Sequence, residues 1–209
     1  MPESIIFDVD GTLWDARKQV FYAWDMAKRE LFGEPFVIDF DAFTGLFGKT
    51  MDEFAPFLFP SLPLEQAITQ SNAVLMEETK WLIDRPGILY DGILPMLQAL
   101  HKNYRLFIVS NCQVGYIEVL LEAYHLEQYF SGHLCYGDTL TSKGQTIRTL
   151  MRQHDIHDAV YVGDTQGDAD ACTEADIPFI YASYGFGTVD RAYPTVSAPS
   201  EIAACIAAL

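Results

Sequence analysis

Short apolar runs that end in polar turns, with helical stretches between them, restrict this chain more than any other feature. The first run is Ser4-Ile5-Ile6-Phe7-Asp8-Val9, β-branched and closed by Asp10-Gly11. A run of this length and composition reads as a buried parallel strand. The run from Arg105 to Ser110 has the same character, and further strands are expected at His133 to Tyr136, Ala159 to Val162 and Ile177 to Tyr181. Helical patterns separate them over 94–102, 114–123, 144–153 and 168–174. Strands alternating with helices of this length build βαβ units, whose crossovers produce a parallel sheet with helices on its faces. The sequence therefore predicts an α/β fold with a three-layer, Rossmann-like core.

One stretch breaks the rhythm. Between about Asp15 and Asp84 there are long helix-like patterns, 19–31 and 64–83, and no convincing strand. Arg85-Pro86-Gly87 then reads as a helix stop. The expected organisation is a core of residues 1–14 and 86–209, with a small all-helical unit, 15–85, inserted after the first strand. A chain of 209 residues is long enough for such a core and a small accessory unit. The aromatic-rich stretch from Phe36 to Phe59 is expected to supply the core of the insertion, not a cofactor cage.

Charge narrows the function. Lys plus Arg is 13 and Asp plus Glu is 29, a formal net charge of −16. Such a field repels the phosphates of nucleic acid, so a nucleic-acid partner is disfavoured. It says little about a local site, where a bound divalent cation can reverse the sign. No apolar run approaches the ~18–20 residues that span a bilayer. The start, Met1-Pro2-Glu3-Ser4, lacks the basic segment of a secretory signal. A cytoplasmic protein with no membrane partner is expected. The four cysteines form no CxxC pair and the five histidines no HxH or HxxxH pair. Buried free thiols are the reading, without a disulfide framework or zinc site.

In open α/β sheets, ligands bind beyond the carboxyl ends of the strands. The polar residues expected there are Asp8, Asp10, Gly11 and Thr12 after the first strand, and Ser110 and Asn111 after the second. Asp164 and Thr165 follow the fourth, with Asp168 a helical turn further on, and Lys143 opens the helix that leads into that strand. Side chains two apart on an extended strand share a face, so Asp8 and Asp10 can address one reacting atom. Each residue has a plainer reading. Lys143 could be a solvated helix-start lysine, and Ser110 and Asp168 could be helix N-caps.

Together these residues resemble the motifs of the haloacid dehalogenase superfamily. Asp8-Val9-Asp10-Gly11-Thr12 resembles the first motif, Ser110 the second, Lys143 the third, and Gly163-Asp164 with Asp168 the fourth. Tyr184-Gly185-Phe186-Gly187-Thr188 resembles the loop after the fourth motif in phosphoglycolate-phosphatase-like members. The order is the family's, and the match spans nearly the whole chain. Dehalogenases lack an acid at the position of Asp10, so that acid favours phosphoryl transfer.

The resemblance implies a magnesium-dependent phosphatase that acts on small phosphorylated metabolites through an aspartyl-phosphate. Asp8 would be the nucleophile, Asp10 the general acid and base, and Lys143 the balancing cation. Gly11, Thr12, Ser110 and Asn111 would hold phosphate. Mg²⁺ would be bound by the Asp8 and Asp164 side chains and the Asp10 main-chain carbonyl, with Asp168 fixing its neighbours. Two charges ~4 Å apart repel by ~4 kcal/mol at an effective dielectric of 20, so this group of carboxylates calls for a hard cation.

The helical insertion resembles the cap of the phosphoglycolate phosphatase and β-phosphoglucomutase branch. Its segment from Thr44 to Thr50 resembles the loop that reads the leaving group, with Lys49 as the reading cation. The alternative activity is a phosphoglucomutase-type isomerase, which shares the same motifs. A non-catalytic binding protein is disfavoured, because no motif carboxylate has been lost.

Overall fold

The computed structural model describes residues 2–209. The first strand, β1, is Ser4–Phe7, and all of its residues are buried. Next come β2 (Trp14–Asp15), α1 (Arg17–Phe32), α2 (Phe40–Thr44), α3 (Met51–Leu58), α4 (Leu64–Asp84) and β3 (Ile88–Leu89), so the helices between the two short strands fall in the expected insertion. The chain continues through α5 (Ile93–Leu100), β4 (Arg105–Ser110), α6 (Tyr116–Tyr124), β5 (Phe130–Cys135) and α7 (Tyr136–Thr139). It ends with α8 (Lys143–Gln153), β6 (Ala159–Gly163), α9 (Gln166–Ala175), β7 (Phe179–Ala182), β8 (Thr195–Val196) and α10 (Ile202–Ala207).

The main sheet has six strands in the order β5-β4-β1-β6-β7-β8, and every pairing in it is parallel. One apolar cluster covers one face, and the other face carries a second cluster around Phe107, Ile147, Leu150 and Tyr161. This is the three-layer α/β core expected from the sequence. Register decides where the site forms. Phe7 pairs with Ile108 on one side and Val162 on the other. The residues that follow these strands therefore emerge side by side at one edge.

Several elements differ from the reading of the sequence. β1 stops at Phe7 rather than Val9, because the chain turns at once: Leu13 N–H donates to the Val9 carbonyl at 2.8 Å, and Gly11 adopts φ 81°. β5 starts earlier than expected, at Phe130, and Tyr136 opens a short helix instead of ending the strand. β2 and β3 pair antiparallel as a short ribbon. Strands of two residues carry no hydrophobic period, so nothing in the sequence announces them. The ribbon brings the two ends of the helical insertion together.

Packing within the insertion is aromatic. Trp24 meets Phe43 and Phe36 edge to face, with ring centroids 5.3 and 5.5 Å apart. Phe36, Phe43, Phe54 and Phe59 are all buried there, as the aromatic stretch suggested. Lys28 is buried as well, and its ammonium donates to the Leu58 carbonyl at 2.6 Å, at the end of α3. Among the cysteines, Cys135 and Cys172 are buried, whereas Cys112 and Cys205 are only half-buried. No helix of the described residues is long and apolar enough to cross a membrane.

Gly87 lies at the ribbon against Trp14, which is fully buried. A Cβ added there would come within 2.8 Å of both the Ala16 Cβ and the Trp14 Cδ2. Overpacking of this kind costs ~1–3 kcal/mol, and for a chain of this size each kcal/mol moves Tm by ~2–4 °C. Gly87→Ala is expected to lower Tm by about 3–10 °C in calorimetry. An unchanged Tm would mean that the ribbon yields freely around Trp14.

Candidate active site

Asp8 is the first residue beyond β1. Its N–H donates to the Val162 carbonyl at 2.9 Å, which continues the strand register, and the residue is 2% exposed. Its Oδ1 accepts from the Lys143 ammonium at 2.8 Å. Lys143 is the first residue of α8, where Ser142 is the N-cap and accepts from Gln145 N–H at 3.3 Å. The same ammonium donates to Asp168 Oδ1. Lys143 is buried with both partners, so the solvated-lysine reading does not hold.

Asp168 is not an N-cap. Thr165 caps α9, and Asp168 completes the capping box as its third residue. Asp168 Oδ2 accepts from the Thr165 N–H at 2.9 Å and the Thr165 hydroxyl at 2.7 Å. Both oxygens of Asp168 are thus engaged. Asp164 is arranged otherwise. Its Oδ2 accepts from the N–H groups of Phe186 and Gly187 at 3.0 and 2.7 Å, while its buried Oδ1 has no hydrogen-bond partner.

Glycine makes the approach to Asp164 feasible. A Cβ at Gly11 would lie 2.0 Å from Asp164 Oδ2, and one at Gly185 would lie 2.3 Å from the Gly11 carbonyl. Only chains without a Cβ can pass so close. This explains the glycines of the 184–188 segment: its backbone N–H groups grip a carboxylate.

Asp10 Oδ1 accepts from Trp14 Nε1 at 3.1 Å and from the Tyr116 hydroxyl at 2.9 Å. Ser110 ends β4 and is 5% exposed. It is not a helix N-cap, because the next helix starts at Tyr116 after Gly115. Asn111 Nδ2 donates to the Gly48 carbonyl of the insertion at 2.8 Å.

A cavity of about 60 Å³ lies between the sheet edge and the helical insertion. Asp8, Asp10, Ser110 and Asn111 line it from the core, and Lys49 lines it from the insertion. Gly11 and Thr12 are not among the lining residues, and Thr12 is fully buried with its hydroxyl unpartnered. Lys143, Asp164 and Asp168 also lie outside the lining and gather around Asp8.

Residues missed in the sequence complete the cavity. Val20, Trp24, Leu46, Phe54 and Leu75 give it an apolar wall, and Glu78 of α4 is set into that wall, 2% exposed. Glu78 accepts from Trp24 Nε1 through Oε2, and from Gln113 Nε2 through Oε1 at 3.0 Å. A signal for it existed. Leu75, Glu78 and Leu82 are all buried and follow helical spacing, so the acid occupies a core position of its helix.

Electrostatics reflect the crowding. Burial raises Asp8, Asp168 raises it further, and Lys143 opposes both. Asp164 is pushed well above the carboxylate range by burial and then by Asp168 and Asp8. Asp10 is raised by burial and by the charge of Asp8, with the Tyr116 and Trp14 hydrogen bonds acting against them. Burial would lower the Lys143 ammonium, but Asp168 and Asp8 outweigh it and hold it above its ordinary value. Burial pushes Glu78 up to about 7 against its two donors. Asp8, Asp164 and Asp168 each place one oxygen within 4.8 Å of the others. Hard oxygen donors, one of them buried and unpartnered, suit a hard divalent cation.

The haloacid dehalogenase-like hydrolase profile matches residues 5–182, and the chain belongs to that family. It is 28% identical to the probable phosphatase IndB of Dickeya dadantii, over 91% of this chain and 85% of that protein. It is 26% identical to a phosphoglycolate phosphatase of Photobacterium profundum, over 87% and 83% respectively. The solved structure of a haloacid dehalogenase-like hydrolase from Streptococcus pneumoniae shares the fold, with TM-score 0.81 at 20% identity and 98% of each chain covered. The family resemblance seen in the motifs is therefore upheld.

Removing Lys143 would leave Asp8 and Asp168 buried without their cation. Breaking a buried pair in this way costs ~3–5 kcal/mol. Lys143→Met is expected to lower Tm by about 6–15 °C in EDTA. A Tm within a degree or so of wild type would remove Lys143 from the charge balance.

Proposed function

We propose that this protein is a magnesium-dependent phosphatase that hydrolyses small phosphomonoesters through a phosphorylated Asp8. One observation carries the reading: Asp8 sits at the mouth of the central strand, paired to Lys143, in a carboxylate cluster that includes the unpartnered Asp164 Oδ1. The phosphatase names of the relatives support the same class.

Chemistry then follows from the side chains. An Asp8 oxygen attacks phosphorus, and the bond to the leaving oxygen breaks. Asp10 gives its proton to that oxygen as it departs. Trp14 and Tyr116 hold one Asp10 oxygen, which steadies the other for the transfer. In the second half, Asp10 takes a proton from water as the water attacks the phosphorus on Asp8. The bond to Asp8 breaks, and inorganic phosphate and the free carboxylate result. Lys143 balances the charge on Asp8, and the Ser110 hydroxyl and Asn111 amide hold phosphoryl oxygens.

Asp8, Asp164 and the Asp10 main-chain carbonyl would hold Mg²⁺, which supplies charge neutralisation at the transferred group. Asp168, engaged by Lys143 and Thr165, keeps the lysine in place.

Residues 15–85 would act as a cap on the core of 1–14 and 86–209, excluding water when closed. The bond between Asn111 and Gly48 supports a closed arrangement, with Lys49 facing the leaving group.

With p-nitrophenyl phosphate and Mg²⁺, wild-type protein is expected to turn over. Asp8→Asn should lose at least about 10³-fold in kcat, since an amide cannot replace the attacking carboxylate. EDTA should abolish the wild-type rate and added Mg²⁺ restore it. Near-native turnover by Asp8→Asn, or full activity in EDTA, would overturn the mechanism.

A further inference from the structure

The cavity is not built like a site for an acidic leaving group. We infer that Glu78 is a specificity-determining residue: it favours esters whose alcohol carries a hydrogen-bond donor, a hydroxyl or an ammonium, and rejects those bearing a carboxylate. The inference rests on the phosphatase reading above and names the substrate class of that same cavity.

Position comes first. Glu78 belongs to the helical insertion, yet it lines the same cavity as Asp8 and Asp10. A phosphoryl group on Asp8 therefore directs its alcohol toward the wall that contains Glu78. That wall is otherwise apolar: Val20, Trp24, Leu46, Phe54 and Leu75 accommodate carbon, not charge.

Fixation comes second. Trp24 Nε1 donates to one oxygen of Glu78 and Gln113 Nε2 to the other. Two N–H donors, one per oxygen, define the group as an acceptor and hold it in one orientation. Each carboxylate oxygen has two lone pairs, so both retain capacity for a donor from the ligand. A substrate hydroxyl or ammonium satisfies that capacity. A substrate carboxylate would instead meet a fixed carboxylate in a narrow, largely apolar space, where like charges oppose each other strongly once Glu78 is ionised, at a pH above about 7.

Lys49 is the counter-argument, because it lines the cavity too and could attract a carboxylate. The two differ in how they are held. Glu78 is 2% exposed and tied at both oxygens, whereas Lys49 lies half-buried in the loop before α3. The fixed group sets the preference, since among the described residues no hydrogen bond holds the Lys49 ammonium in one orientation.

The test is a ranking of kcat/KM on wild-type protein with Mg²⁺. The probes are glycerol 3-phosphate for the hydroxyl, phosphoethanolamine for the ammonium and phosphoglycolate for the carboxylate. At least one donor-bearing ester is expected to exceed phosphoglycolate by about tenfold or more. The two donor arms show which donor the cavity takes. Glu78→Gln should compress the ratio of the better donor ester to phosphoglycolate by at least about tenfold, whereas Glu78→Asp, which keeps the charge, should keep the order. A purely structural role for Glu78 would lower all rates together and leave the ratio fixed, which would overturn the inference. So would phosphoglycolate as the best of the three. If the glutamine variant does not fold, the wild-type order and the Glu78→Asp order decide. Failure of the phosphatase reading looks different: the wild type would then hydrolyse none of the esters, nor p-nitrophenyl phosphate.

Discussion

A single ammonium group holds the centre of this molecule together. Lys143 Nζ reaches Asp8 at 2.8 Å and also donates to Asp168, with all three side chains removed from water. Taking such charges out of water costs several kcal/mol per ion, and only close pairing offsets it. One lysine cannot balance Asp8, Asp10, Asp164 and Asp168. The pKa directions show the remainder as strain: three of those acids resist ionisation. The polypeptide has been built with a deficit of positive charge at one point. A cation and a phosphoryl group are what such a point is suited to receive.

The fold delivers these groups by register more than by contact. β1 is central, and its pairing with β4 and β6 sets Phe7 level with Ile108 and Val162. Asp8, Ser110 and Asp164 then leave the sheet at the same edge from strands distant in sequence. A one-residue slip would turn each strand's side chains to the opposite face and carry Asp8, Ser110 or Asp164 away from the others, so the register fixes the site. Close backbone approach completes it. Gly11 and Gly185 allow two loops to crowd Asp164 where any Cβ would collide.

What the sequence made legible is what repeats or aligns. The apolar runs of β1, β4 and β6 announced a parallel sheet, and the motif residues at their ends followed from the rule for open sheets. The β2–β3 ribbon was illegible, because two residues carry no period. α2 and α3 were hidden within an aromatic stretch that shows composition but no clean repeat. Ser110 and Asp168 were open to an N-cap reading because short polar residues serve both purposes. Only the true helix starts, at Tyr116 after Gly115 and at Gln166 after Thr165, decide between them. Glu78 was missed for a different reason. Charged residues on a long helix usually face water, and the partners that make this one tolerable, Trp24 and Gln113, lie 54 and 35 positions away.

Those distant partners link recognition to closure. Gln113 leaves the core just beyond Ser110 and Asn111, and its Nε2 donates to both Glu78 Oε1 and Thr79 Oγ1 of α4. Asn111, two residues earlier, donates to Gly48 in the loop that carries Lys49. A single short core segment therefore meets the insertion at two points, one beside the acid of the cavity and one beside its cation. Separation of the insertion from the core would break both contacts together and leave Glu78 without one of its two donors. Burial opposes ionisation of Glu78, and the donors Trp24 and Gln113 offset that cost in the arrangement seen here. The cavity thus has its full set of polar groups only when the insertion sits on the core.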